Sequence, residues 1–395
     1  MAVLKFEEVY NVPITCLNLN RAHPKIPKDW KWALQVGIMH GIFTLTFSTF
    51  IYSLIAVDIK GDDFGKACTN GIFLVIWVVV TFQYGVVLKF KEEISTLIRI
   101  NQENFDAAES MSDEDQAVIR DYAFRARWVA KVWCISCCVN CALFPLKSLV
   151  LTLYSLYIDD FRLVPWYDCS FPEFIDKIKY RPDIFSIIFS THVFYGVYAI
   201  GMYIGFCPLG PIFILNTCAQ LELMAKEFKN IFNVTPYNEK AVSEQLCALI
   251  KKSQDIYYYV QLINDVFKVL YEISLKASAI MIPITLYQVL DSMKRRELCM
   301  EYMAFILTAS LLCYVPCYYS DLLMEKGEAL RLAIYGSGWE ARFHKGSRNS
   351  VIIMLTIAIR PISIRTLFRT VCLDAFAGLC HEAYSIFNLL NAMWG

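Results

Sequence analysis

Six residues near the C-terminal end have the types and spacing to hold something polar inside a membrane. In VCLDAFAGLCHEAYSIFNLLNAMWG, residues 371–395, Asp374, Gly378, His381, Ser385, Asn388 and Ala392 recur at alternating steps of four and three. On an α-helix that spacing makes one continuous stripe, and the other faces are mostly Leu, Ile, Phe, Ala and Cys. Polar groups on a lipid-spanning helix are costly unless they meet protein or water. The stripe therefore either lines an aqueous path or packs inside the bundle of the chain itself, and the residues alone leave both readings open.

A second set of residues suits an apolar small molecule with few polar handles. Ser148, Thr152 and Ser155 share a face of one apolar segment, with Tyr154 beside it; Phe185, Phe189, His192 and Gly196 share a face of the next, flanked by Tyr195. Phe73, Trp77, Met281, Thr285, Met303 and Ile306 lie at matching depth on three further segments. Each is an ordinary packing residue when taken singly, and the set carries more weight than its members. Lys147 follows Pro145 in the middle of an apolar run. An ionisable group there is expensive and tends to be functional, so Lys147 reads either as a polar anchor or interhelical charge partner, or as a lysine snorkelling along a kinked helix.

Enzyme chemistry finds no support: HExxH, Walker, GxSxG and dinucleotide-binding patterns are absent, and the five histidines are scattered. No cofactor or metal site is expected. Most of the 15 cysteines, including Cys134, Cys137, Cys138, Cys141, Cys313 and Cys317, lie on apolar helices, where cysteine is a small hydrophobe. Cys68, Cys169 and Cys299 are candidates for a disulfide, with no pair singled out.

These residues must be positioned by membrane helices. The chain of 395 residues is 57% hydrophobic, 15% aromatic and only 19% charged, the profile of an integral membrane protein. Segments able to cross about 30 Å of hydrocarbon occur at 32–57, 69–88, 128–157, 184–215, 275–290, 303–319 and 371–393. The fifth is short and is expected to continue a helix that begins in the preceding loop. The first thirty residues lack the pattern of a secretory signal. Counting Lys131 at the inner end of the third span, 25 Lys and Arg lie on one side against 9 on the other, with Lys147, Lys268 and Lys276 in or beside spans. By the positive-inside rule the N-terminus is inside and the C-terminus outside. The Asn233 sequon then lies inside and carries no glycan. Helical spacing in 222–268 and 325–360 predicts helices extending into the cytoplasm, ESMSDEDQ at 109–116 reads as a solvated turn or helix start, and the aromatic, Pro-bearing 161–183 loop is expected to form an ordered lid. The expected fold is a single all-α membrane domain of seven helices.

LRLAIYGSGWE at 330–340, MLTIAIRPISI at 354–364 and HEAYSIFNLLNAM at 381–393 resemble the C-terminal signature of insect odorant receptors, with Tyr335, Trp339, Pro361, Tyr384 and Ser385 carrying most of the match. AIYGSGW is closest to the wording in moth receptors. The resemblance implies a ligand-gated cation channel in the plasma membrane of olfactory sensory neurons. In it, four subunits surround one pore and a tuning subunit assembles with a shared co-receptor. Its ligand is a small volatile held in the outer half of the bundle; nucleic acid has no part in it. The last span would line the pore, and 320–370 would form the cytoplasmic anchor between subunits. Matching Tyr384 to the family tyrosine places the gate near Phe387, Leu390 and Asn391, whereas the polar stripe favours Ser385, Asn388 and Ala392, about 100° round the helix. The chain lacks the co-receptor's long insertion between the fourth and fifth spans and ends with an extra Met393, Trp394 and Gly395, so it resembles a ligand-tuned subunit.

A gustatory receptor of the same superfamily is the nearest rival, opposed by the AYSIFNLL wording. A G-protein-coupled receptor would carry its N-terminus outside and an NPxxY near its end, and a secondary transporter would show broken helices in corresponding halves.

Overall fold

The computed structural model describes residues 4–394 apart from 62–63, 160, 168, 233–238, 297–299 and 342–344. The Asn233 sequon and Cys299 fall outside the described residues. Two short helices, α1 (Phe6–Val9) and α2 (Asn11–Leu19), precede α3 (Trp30–Tyr52), which continues as a π-helical turn over Ser53–Asp58. Then follow α4 (Phe64–Lys89), α5 (Lys91–Ala108), α6 (Asp113–Tyr157), a single turn α7 (Glu173–Asp176), α8 (Pro182–Phe206) and α9 (Leu209–Asn230). The chain finishes with α10 (Glu239–Lys294), α11 (Met300–Tyr335), α12 (Lys345–Ala358) and α13 (Leu373–Trp394). Among the described residues there is no strand, only an isolated bridge between Arg365 and Thr370.

Local chemistry sets several of these boundaries. Asp29 caps α3 by accepting from the Trp32 amide at 2.7 Å, and Ser112 caps α6 by accepting from the Asp115 amide at 3.3 Å, with Asp113, Glu114 and Asp115 in the first turn. ESMSDEDQ is therefore the start of a helix. The segment 184–215, expected as one span, lies within one membrane-length stretch, Pro182–Asn230, that is built of two helices, α8 and α9, parted at Cys207 and Pro208. Proline lacks the amide hydrogen that would continue the ladder, and its ring crowds the preceding turn. Pro145, Pro283 and Pro316 all sit within continuous helices, so it is Pro208 whose local setting yields.

Among the described residues, six helical stretches are long and apolar enough to cross a membrane: Trp30–Asp58, Phe64–Lys89, Asp113–Tyr157, Pro182–Asn230, Glu239–Lys294 and Met300–Tyr335. The 22 residues of α13 extend about 33 Å at 1.5 Å per residue, but Asp374, His381 and Glu382 make it more polar. Buried α9 sits at the centre, packed by α6, α10 and α11, while Leu146, Leu149, Val150 and Leu153 of α6 face outward, as a lipid-facing surface requires. Phe6, Tyr10, Ile14 and Leu17 bury the N-terminal segment against α5 and α8. Gly205 permits that approach: a Cβ there would lie 3.0 Å from the Leu17 side chain.

At the end of the bundle opposite the 161–181 segment, residues 359–372 dock on α10. Asn264 donates to the Ser363 carbonyl at 3.2 Å and accepts from the Arg365 amide at 2.7 Å, while Ile362 and Ile364 are buried. Asp321 then accepts from the Leu373 amide at 2.9 Å, fixing where α13 begins.

Candidate ligand site and last helix

The 161–181 segment folds over the bundle as a lid, and the serine and threonine face of α6 holds it there. Ser148 donates to the Val164 carbonyl at 2.6 Å, Thr152 accepts from the Val164 amide at 3.2 Å, and Ser155 accepts from the Arg162 amide at 3.0 Å. These hydroxyls, expected at a ligand, are spent on lid backbone. A buried latch holds the lid's far side. The Ser170 amide donates to Ser53 Oγ at 2.9 Å, Ser53 donates to Asp58, and Asn70 donates to Asp58 Oδ2 at 2.6 Å.

From the lid, Tyr167 enters the bundle, its ring centroid 4.1 Å from Phe73 and 5.6 Å from both Phe50 and Phe144. Phe144 and Tyr167 form the common wall of two spaces. Beside the lid lies an open vestibule of about 820 Å³ with Lys66, Lys147, Arg162, Asp291, Arg295 and Glu301 among its lining residues. Deeper in, a cavity of about 90 Å³ is bounded by Phe73 and Ile76 of α4, Trp133, Cys137, Asn140, Cys141 and Phe144 of α6, Tyr195, Gly196, Ala199, Ile200 and Tyr203 of α8, Met281 of α10, and Phe305, Thr308, Ala309 and Leu312 of α11. A mostly apolar chamber with few polar groups suits a small volatile molecule.

Of the residues expected at a ligand, Phe73, Tyr195 and Met281 line this cavity, and Tyr195 also donates to the Phe73 carbonyl. Lys147 and Ser148 line the vestibule. Lys147 pairs with Glu301, which is buried in the first turn of α11. The other expected ligand residues lie elsewhere. Trp77 stacks on Phe47 with centroids 4.0 Å apart and donates to Thr44 Oγ1. Thr285 turns back to the Met281 carbonyl at 2.7 Å. His192 is stacked on Phe50 at 5.6 Å, its Nε2 3.8 Å from Cys169 Sγ, and Phe189 packs on Trp166. Tyr154 and Met303 are exposed on outward faces, and Ile306 is half-buried outside the cavity. The reason is rotational: on α11, Phe305, Thr308, Ala309 and Leu312 form the inward stripe, and Met303 and Ile306 flank it.

The inner half of the α6 face, Trp133, Cys137, Asn140 and Phe144, was not among the expected residues. Its spacing of four, three and four continues inward from Ser148, so extending the hydroxyl face by about four turns would have found it.

On α13 the side that meets the rest of the chain is Phe376, Leu379, Ala383, Phe387 and Leu390, buried or half-buried against α10 and α11. Leu379 and Phe376 pack with Leu275 and Cys313. At 100° per residue, the Asp374, Gly378, His381, Ser385, Asn388 and Ala392 stripe lies about 180° away. Asp374, His381, Ser385, Asn388 and Ala392 are exposed and Gly378 partly so. The polar stripe is thus not packed inside the chain's own bundle. Phe387 and Leu390 turn toward that bundle, while Ser385, Asn388 and Asn391 remain open.

Comparison with known proteins places this architecture. The family model described as 7tm odorant receptor matches residues 63–384. The chain belongs to the odorant receptor family. Odorant receptor 67a of Drosophila melanogaster is 24% identical over 353 residues, covering 86% of this chain and 83% of that protein. Among solved structures, the insect olfactory receptor OR5 of Machilis hrabei in complex with eugenol superposes with a TM-score of 0.79 at 16% identity, covering 98% of both chains. A second structure of OR5 gives 0.76 at 14% identity over 97% of both. This odorant receptor is therefore an all-helical, multi-pass membrane protein with the OR5 fold.

Proposed function

We propose that this odorant receptor is the ligand-tuned subunit of a heteromeric odorant-gated cation channel, assembled with the family's shared co-receptor in the plasma membrane of olfactory sensory neurons. A small volatile enters through the vestibule, passes Phe144 and Tyr167, and occupies the apolar cavity between α4, α6, α8, α10 and α11. Binding shifts the balance of closed and open states through its differential affinity for them.

The observation that carries this reading is the placement of α13. Its apolar side is seated on α10 and α11, and its polar stripe faces away from the chain. One helix cannot enclose a channel, so an outward polar stripe calls for other subunits to complete a water-filled path. The ligand in the OR5 complex, eugenol, belongs to the chemical range that an apolar chamber accepts. The second element of coupling is also short: α10 presents Met281 to the cavity, and Leu275, two turns away, packs against α13.

The test is odorant-evoked cation current in cells expressing the chain with and without the co-receptor. Current is expected with the pair. No current to a broad panel of volatiles, despite delivery of both chains to the surface, would overturn the reading.

A further inference from the structure

The cavity is apolar apart from a few groups, and three of those are engaged within the protein. Tyr195 gives its hydroxyl to the Phe73 carbonyl, Thr308 donates to the Ala304 carbonyl at 2.9 Å and meets Ser136 Oγ at 2.9 Å, and the Trp133 indole donates to the Tyr203 carbonyl at 2.9 Å. Asn140 is different. It is 8% exposed, it lines the cavity, and its Oδ1 has no hydrogen-bond partner. Among the described residues it is the one cavity-lining side chain with a buried polar atom left in that condition. A buried amide oxygen without a donor carries its full desolvation cost. Leucine at this position would fill similar space on an apolar helix without that cost. Retaining an amide here is explained if a bound molecule supplies the donor.

We infer that Asn140 is the specificity-determining residue of the cavity and that the ligand class is a volatile alcohol or phenol. Its hydroxyl donates to Asn140 Oδ1 while its hydrocarbon body meets Phe73, Phe144, Met281 and Phe305. This rests on the odorant-channel reading above and names the chemistry of its ligand. A site with a polar group that only the hydroxyl satisfies discriminates against the analogue lacking it, because the amide is then buried unpaired.

The test uses the full chain co-expressed with the co-receptor and a matched set of probes: an alcohol, its methyl ether and its parent hydrocarbon, on several skeletons. In the unsubstituted receptor the best alcohol is expected to activate at a concentration about tenfold lower than its ether or hydrocarbon, the size of one buried hydrogen bond. Asn140→Leu is expected to bring that ratio to about one without abolishing hydrocarbon responses, and Asn140→Ser, which keeps an acceptor, to preserve part of it. An unchanged ratio in Asn140→Leu overturns the inference; it is the result expected if water alone satisfies the amide. If Asn140→Leu fails to reach the surface, the ratio in Asn140→Ser decides on the same terms. A receptor that shows no preference for the alcohol before substitution also overturns it. Silence to every probe from channels delivered to the surface would count instead against the channel reading.

Discussion

Lys147 shows how much a single residue's setting decides. Its position after Pro145 in an apolar run is conspicuous in the sequence, and the structure pairs it with Glu301, whose side chain is only 3% exposed against 33% for Lys147. Removing one partner of such a pair strands a buried charge, whereas removing both is much milder. Lys147→Met is therefore expected to destabilise the protein by about 2–3 kcal/mol, near the low end of the range because Lys147 is partly solvated. Lys147→Met with Glu301→Gln should recover most of that loss, as read by thermal unfolding of the detergent-solubilised assembly. Equal losses in the single and double variants would contradict the pairing. The sequence made Lys147 legible but not Glu301, because Glu301 sits at the very start of α11, before the span expected at 303–319. Ser148, Thr152 and Ser155 give a related lesson. Their spacing tells which residues share a face; whether that face meets a ligand or a lid depends on a loop that packs there by tertiary contact.

At the scale of elements, helices and lid were legible where pattern is strong and hidden where two elements approach closely. The break at Pro208 has a sequence cause, yet Pro145, Pro283 and Pro316 leave their helices continuous, so proline alone does not announce it. What accompanies the break is contact between α9 and α10: a Cβ on Gly210 would lie 1.9 Å from the Tyr271 hydroxyl. That hydroxyl is itself buried without a partner. Gly210→Ala should thus sharply reduce surface delivery, and adding Tyr271→Phe should restore much of it, whereas Tyr271→Phe alone should be close to neutral. Failure of the second substitution to rescue would show that the contact is not limiting. For the lid, Asn70→Leu removes the donor to Asp58 and Ser53. Faster hydrogen exchange is expected across 161–171 with little change in α9, and equal protection in both proteins would show that the latch does not hold the lid.

For the whole molecule, composition and the C-terminal wording reach the family, and the fold follows with it. The rotation of α13 is what they leave undetermined: two readings about 100° apart place either Phe387 or Asn388 on the axis. Intrachain packing of Leu379, Ala383, Phe387 and Leu390 turns Asn388 outward, because the apolar side is consumed by α10 and α11. The central claim, that a bound volatile opens a path along this stripe, is tested most directly by cysteine accessibility during odorant application. In a Cys380→Ser background, chosen because Cys380 is exposed on α13, Asn388→Cys and Phe387→Cys are compared with a charged, membrane-impermeant thiol reagent. Odorant-evoked current through Asn388→Cys channels is expected to be blocked, faster with odorant present than without, while Phe387→Cys channels are spared. Rapid block at Phe387→Cys with none at Asn388→Cys would contradict the account.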